Sequence, residues 1–511
     1  MNRRRFLANS GLAVVSFSSL AACAKQVALE PVAASPVATP PPPNPFYTWF
    51  GVDEARFSTT LGDLAAKGAD LADLYFQHSK VSSITFEDGI IARAATSIEQ
   101  GVGLRCVVGD QTGYAYTEDL SPEAMAGAAR TAAAIAKAGG RAAPVEYVLG
   151  APPRHYEIAV PWAQVGADKK IALVEKIAAK AKAKDPSITK VTVSWTDEEQ
   201  HVLVVDLEGK VWTDIRPMSR VWCNLVATRN GVTVSNGSNL AGRRGLEWYT
   251  DEKIDLLVQQ AADRTLILFD AKRPPAGEWP VILAAGASGI LLHEAIGHGM
   301  EADFNRKGTS IYSTMIGQKV APDFVTIVDD GTCQNERGAL NFDDEGTPVE
   351  KTLLVEKGVM RSYLHDRISA KHYGVKATGS GRRESFRHAP MPRMRCTYME
   401  NGPHSRDEIV ASVQKGIIAE TFTNGQVQIG AGDFTFYIKN GWLVEGGKIT
   451  APIKDCNIIG NGPEALRNVT MAANDGQLDT GGWTCGKDGQ SVPVSQGLPT
   501  VLVSKMTVGG V

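Results

Sequence analysis

The chain has 511 residues, 43% hydrophobic and 21% charged, with 51 glycines and 26 prolines. That is globular composition with apolar material for more than one core, and seven cysteines at irregular spacings exclude a disulfide scaffold. A formal charge of −3 leaves no basic footprint for nucleic acid.

Residues 1–22 are read as an export signal and not as part of the fold. Arg3-Arg4-Arg5-Phe6-Leu7 fits a twin-arginine motif, and the apolar stretch from Gly11 to Ala22 is too short for a durable span. It ends in Leu20-Ala21-Ala22-Cys23, a lipobox that predicts acylation of Cys23 and anchoring on the periplasmic side of the cell envelope. Cleavage there removes three arginines and no acid, leaving the mature chain more acidic still. Residues 23–46, with Pro40-Pro41-Pro42-Pro43, read as an extended tether.

An N-terminal α+β domain is expected over 47–275. Its predicted elements begin with a helix over residues 63–78 and an antiparallel meander from Val81 to Tyr116, broken at Asp88-Gly89 and Gly109-Asp110. A helix capped by Ser121 with Pro122 in its first turn follows, closed by Gly139-Gly140. A second helix starts at Asp168 and stops at Asp185-Pro186. Strands come next at Val191–Trp195, Val202–Asp206, Val211–Ile215, Arg220–Thr228 and Val232–Asn236, with hairpin turns at Glu208-Gly209 and Asn230-Gly231. A third helix covers about 252–266.

Pro274-Pro275 marks the boundary of a largely β C-terminal domain, 276–511. Its predicted strands are Val325–Val328, Thr352–Glu356, Gln426–Ile429, Phe434–Ile438 and Leu443–Glu445, with Asn440-Gly441 and Gly446-Gly447 between the last ones. Helices are expected at Ser288–Gly297 and about 405–414. The fold class is therefore α+β with mostly local hairpins.

The chemistry concentrates after a buried strand at Trp279–Ala285. The helix that follows ends in His293-Glu294-Ala295-Ile296-Gly297-His298-Gly299. Titratable side chains at the end of an apolar helix are costly unless partnered, and neutral imidazoles suit zinc while a neighbouring Glu can act as base. Two histidines five residues apart lie about 140° apart on a regular helix, so they converge only if the turn widens or the helix ends between them. Gly297 and Gly299 allow either distortion; the competing reading is a helix end capped by His298. A third ligand is needed, and Glu301, Asp303 and Cys485, the last in a glycine-rich loop, are all candidates.

The segment His293–Ser310 (HEAIGHGMEADFNRKGTS), together with Phe342–Pro348, Gly379–Ser385, Cys485–Pro493 and Thr507–Gly510, resembles the TldD/PmbA metallopeptidases, in particular their metal-bearing TldD-like branch. The resemblance implies zinc on His293, His298 and Cys485, Glu294 as general base, and unfolded or extended peptides as substrates. It also implies a homodimer, or a heterodimer with a homologous metal-free subunit. The leader and proline tether depart from the cytoplasmic members of that family. Arg382, Arg383 and His365 are candidates for binding substrate or steadying an oxyanion, set against structural ion pairing. Asp343-Asp344-Glu345 is either a second cation site or a solvated turn. Rival functions are a silent envelope scaffold and a hydrolase of cell-wall peptide amides.

Overall fold

The strands between residues 71 and 242 build one sheet, antiparallel but for one short strand, and the alternation of side chains along them decides what each face covers. The computed structural model describes residues 45–510 apart from 66–68, 137–142 and 145. The leader, the lipobox cysteine, nearly all of the tether and the expected helix stop at Gly139-Gly140 lie outside the described residues.

The sheet runs in the order Gln111–Thr117, Ile90–Val108, Leu71–Glu87, Ile188–Asp206, Lys210–Arg229, with Val232–Gly242 antiparallel and the short Val148–Leu149 parallel on that last strand. The expected turns are found: Asp88 and Gly89, and Asn230 and Gly231, all have positive φ, as does Gly209. Ala72, Leu74 and Phe76 face the helices Glu54–Ala65 and Pro122–Ala136. Farther along the same face, Ile84, Phe86, Val191, Val193 and Trp195 bury against Ala167–Lys182 and Asp251–Leu266. Two helix pairs thus cover one face, one at each end.

Two expectations fail here. The helix over 63–78 is instead a helix that ends at Ala65 and a strand that begins at Leu71. All seven residues from Leu71 to Gln77 are buried, because odd-numbered ones face the C-terminal half and even-numbered ones the helices. A strand buried on both faces shows no period of two. Likewise the four strands expected between 191 and 228 are two long ones, Ile188–Asp206 and Lys210–Arg229. The polar stretch in the first stays in the sheet because its side chains find partners: Asp197 accepts from Lys170 Nζ (2.8 Å) and the Trp195 indole (2.7 Å).

In the C-terminal half, Lys448–Asn461, Asp433–Glu445, Lys415–Gln428, Gly277–Leu283 and Val501–Gly510 pair in that order, and the last pairs back with the first. The sheet closes on itself and so has no open edge along these strands. Asn440-Gly441, expected as a turn, lies inside Asp433–Glu445 at a register shift, where a Cβ on Gly441 would overlap the Ile418 carbonyl. The turn is Gly446-Gly447, both at positive φ. A second sheet, Val359–Met360, Lys351–Glu356, Ile327–Asp330, Cys396–Met399, Ser495–Leu498 and Gln477–Leu478, packs beside it. The helix expected near 405 is Arg406–Ser412, with Ser405 and Glu408 forming a capping box.

The helix-free face of the first sheet is clamped to the C-terminal half. Tyr75, Val202 and Val204 pack on Phe342 and Phe386. Around them Arg105 reaches Asp73 and Glu345 (2.5 Å each), Arg216 reaches Asp344 (2.5 Å), and Arg383 reaches Asp73 (3.3 Å), all buried. Asp343 accepts the amides of Glu345, Thr347 and Gly381. Asp343-Asp344-Glu345 is therefore neither a solvated turn nor an open cation site. The carboxylates of Asp344 and Glu345 are counter-charges of a buried junction, where removing one partner costs about 3–5 kcal/mol, whereas Asp343 faces no cation and burial beside Glu345 pushes its carboxyl up.

Candidate metal centre

After the strand Gly277–Leu283, a positive-φ turn at Gly286 leads into a buried helical passage. Ile290, Leu291, Leu292, Ala295, Ile296 and Met300 are core residues, so this passage is held from the apolar side. Residues His293–Gly297 form a π turn in which the His298 amide donates to the His293 carbonyl. That i→i+5 bond sets residues five apart on one face, so the widened turn brings both imidazoles to the same side. Gly297 has ordinary helical φ (−57°), so its role is space: a Cβ there would overlap the Met394 sulfur.

Cys485 arrives on the hairpin Thr484–Lys487 and Gln490–Pro493, turned by Asp488 and Gly489, both at positive φ. The buried Arg393 donates to the Cys485 carbonyl (2.7 Å) and fixes this strand. Side-chain ligand atoms of His293, His298 and Cys485 lie within 4.8 Å of one another, and all three residues are buried. Cys485 Sγ stands 3.4 Å from His298 Nε2.

Glu301 orients the second imidazole. Its Oε2 accepts from His298 Nδ1 (3.0 Å), which turns Nε2 towards Sγ. Glu301 is fully buried and also faces Lys487 Nζ (3.1 Å), which in turn holds Asp303 (2.8 Å). Burial opposes the Glu301 charge, but Lys487 and His298 outweigh it and bring its pKa down to about 2. Burial also opposes charge on His298 and Cys485. Their mutual attraction prevails, raising His298 well above its ordinary value and holding the Cys485 thiol well below its own. Glu294, on the π turn, is raised by burial, with the two histidines opposing. Its carboxylate makes no hydrogen bond among the described residues, and its Cγ lies beside Gly425 of the strand Lys415–Gln428.

These residues fit a zinc ion. A thiolate and two imidazoles form a common zinc donor set, His293 Nδ1 is a buried polar atom without a partner, and an oriented His298 supplies the third donor. Of the three candidates for third ligand, the fold gathers Cys485 with the histidines, while Glu301 and Asp303 are engaged behind them. Lys487 and Arg393 were not foreseen. Lys487 had a signal, since it lies two residues from Cys485 on the same strand face; Arg393 had none.

The other expected substrate residues are not gathered there. Arg382 donates to the carbonyls of Met394 and Pro493, and Arg383 is bound to Asp73 and to the Asp344 carbonyl (2.9 Å). His365 packs between Tyr363 and Tyr373, and burial lowers its pKa to about 4. Of the three, Arg383 alone is ion-paired; Arg382 is held by backbone carbonyls and His365 by aromatic packing.

Residues 72–136, 160–269 and 276–510 match, in turn, domain 1, the central domain and the C-terminal domain of the PmbA/TldA metallopeptidases. The chain is 39% identical over 454 residues to a metalloprotease TldD homolog of Haemophilus influenzae, covering 88% of this chain and 94% of that one. It is 30% identical to a zinc metalloprotease TldD homolog of Saccharolobus solfataricus, covering 67% and 76%. The solved structure of TldE from Thermococcus kodakarensis superposes with a TM-score of 0.68 at 19% identity, covering 89% of this chain and 99% of that one, a likeness of fold.

Proposed function

The chain belongs to the PmbA/TldD metallopeptidase family, and from that premise we propose that it is a zinc peptidase of extended or unfolded peptides, exported and lipid-anchored in the envelope. The observation that carries the reading is the convergence of His293, His298 and Cys485 from elements 187 residues apart, with Glu294 free beside them.

Zinc held by these three side chains would polarise the scissile carbonyl and the attacking water. Glu294 takes the proton from that water and later returns it to the leaving nitrogen. Burial raises its pKa, so it retains a transferred proton better than an exposed carboxylate does. Glu301 and Lys487 keep His298 in one tautomer and one orientation, and Arg393 keeps the Cys485 strand in place. The strand that passes Glu294 at Gly425 goes on to line a cavity of about 420 Å³ with Gln426–Gln428, Asp433–Thr435 and Ile459–Asn461, room for a chain along that strand.

The proposal includes a partner subunit, either a second copy or a metal-free homologue, as the family resemblance implies. The twin-arginine motif and lipobox carry the proposed location, with the lipid on Cys23. The test is zinc analysis of wild type and Glu294→Gln, with turnover on unstructured peptides and on cell-wall fragments. About one zinc per chain in both, with peptide hydrolysis lost only in the variant, is expected. Equal hydrolysis by both proteins, or wild type without zinc, refutes the reading, and turnover confined to wall fragments moves the substrate to wall amides.

A further inference from the structure

The strand Ile90–Val108 is paired on both sides over only part of its length. Leu71–Glu87 accompanies it along one side, but Gln111–Thr117 on the other reaches only Val102–Val108. Residues 90–101 therefore present an open sheet edge among the described residues. Along it, Ile90 and residues 92–98 are exposed, whichever face they point to, and Ile91 is half-buried. The sequence of its exposed part, residues 90–98 (IIARAATSI), holds one cation, Arg93, and no acid, proline or lysine, and Glu99 just beyond is paired with Arg387. Proteins ordinarily blunt a long edge with such residues, because unpaired backbone groups template another strand. Instead two isoleucines stand out, Ile90 at 67% and Ile98 at 61% exposure.

We infer that this edge pairs, antiparallel, with the same edge of a second copy of the chain, about a two-fold axis at Ala94. Ile90 and Ile98 each lie four residues from Ala94, so the symmetric register sets each against the other in the second copy and covers the most exposed apolar groups twice. In that register Ala92 meets Thr96, and Arg93 meets the small Ala95, so no like charges face each other. The neighbouring strand limits the alternatives. Asp88-Gly89 of the second copy falls opposite Glu99 and Gln100, just short of Val102, where Gln111–Thr117 already fills the lane. Sliding the register by three residues in that direction drives the turn into that strand. A two-fold pairing closes on itself, so the edge is used up and no fibre grows. This names the surface for the second-copy partner proposed above, and it does not depend on the peptidase chemistry.

The test is the mass of the purified full chain by analytical ultracentrifugation across a concentration series, for wild type, Ala94→Glu, Ala94→Lys and an equimolar mixture of the variants. Wild type is expected to dimerise, and each variant alone to dimerise at least ~10-fold more weakly, since like charges then meet across the axis. The mixture is expected to regain dimers, as Glu and Lys face each other. Ala94 is exposed, so circular dichroism and melting curves should match wild type. A wild type that stays monomeric up to ~100 μM, variants that dimerise like wild type, or a mixture that fails to recover each overturns the proposal. Hydrolysis assays on the same samples keep this outcome separate from that of the peptidase reading.

Discussion

Replacing Glu301 by glutamine removes one negative charge from a place where three donors face it and water does not reach. His298 Nδ1 lies at 3.0 Å, Lys487 Nζ at 3.1 Å and Arg393 Nε at 4.0 Å, and the Glu301 side chain is fully buried. Taking one partner from a buried ion pair costs about 3–5 kcal/mol. Lys487 keeps Asp303 at 2.8 Å, so the lower end, about 3 kcal/mol, is expected for folding stability. The amide oxygen of glutamine can still accept from His298, whereas Glu301→Ala leaves that imidazole unoriented. Zinc affinity should therefore fall about 10-fold in Glu301→Gln and further in Glu301→Ala, but by less than about 100-fold, short of the loss expected when a ligand is removed. Competition with a chromophoric chelator measures the affinity, and urea unfolding of the zinc-stripped proteins measures the stability. Unchanged zinc affinity in Glu301→Ala would show that His298 needs no orienting partner. A loss as complete as that of Cys485→Ala would make Glu301 a ligand and refute the positioning role.

Cys485→Ala leaves two imidazoles, and its zinc affinity should drop by more than about 100-fold by the same competition, with the far-ultraviolet spectrum retained. Gly297→Ala puts a methyl into the Met394 sulfur and should cost about 1–3 kcal/mol in urea unfolding, together with weaker zinc binding as the π turn shifts. Glu336 gives a pH test remote from the zinc ligands. Burial, opposed by Arg244 at 3.5 Å, pushes its carboxyl up to about 7 from 4.5. A folded-state pKa above the unfolded one means stability that is full below about pH 4.5 and lost as pH rises through about 7. Glu336→Gln, which cannot ionise, should match wild type near pH 4.5 and be about 3 kcal/mol more stable at pH 8 by urea unfolding. A gain of the same size at both pH values would contradict the linkage.

Local signals in the chain were enough for the parts that depend on local physics. Asp88-Gly89 and Asn230-Gly231 turn hairpins because those residues tolerate positive φ, and Ser121-Pro122 and Ser405 start helices by capping free amides. His293, Glu294 and His298 marked themselves by their chemistry at the end of an apolar run, and the five-residue spacing already required a widened turn. Cys485 came from resemblance to a family, since nothing in a glycine-rich loop alone separates a ligand from a buried thiol. Tertiary structure decided what covers each surface. Leu71–Gln77 lost its alternation because the C-terminal half buries the face that a sheet with one wet side would leave polar. Asp343-Asp344-Glu345 has the composition of a surface turn, and only the arrival of Arg105 and Arg216 from the other half makes it a buried junction. Glu301, Asp303 and Cys485 were equal candidates beside two histidines because ligand geometry is set by contacts between distant segments. The hairpin delivers Cys485 to the histidines and Lys487 to Glu301 together, so one carboxylate becomes the support of a ligand, and its burial among three positive partners keeps it charged.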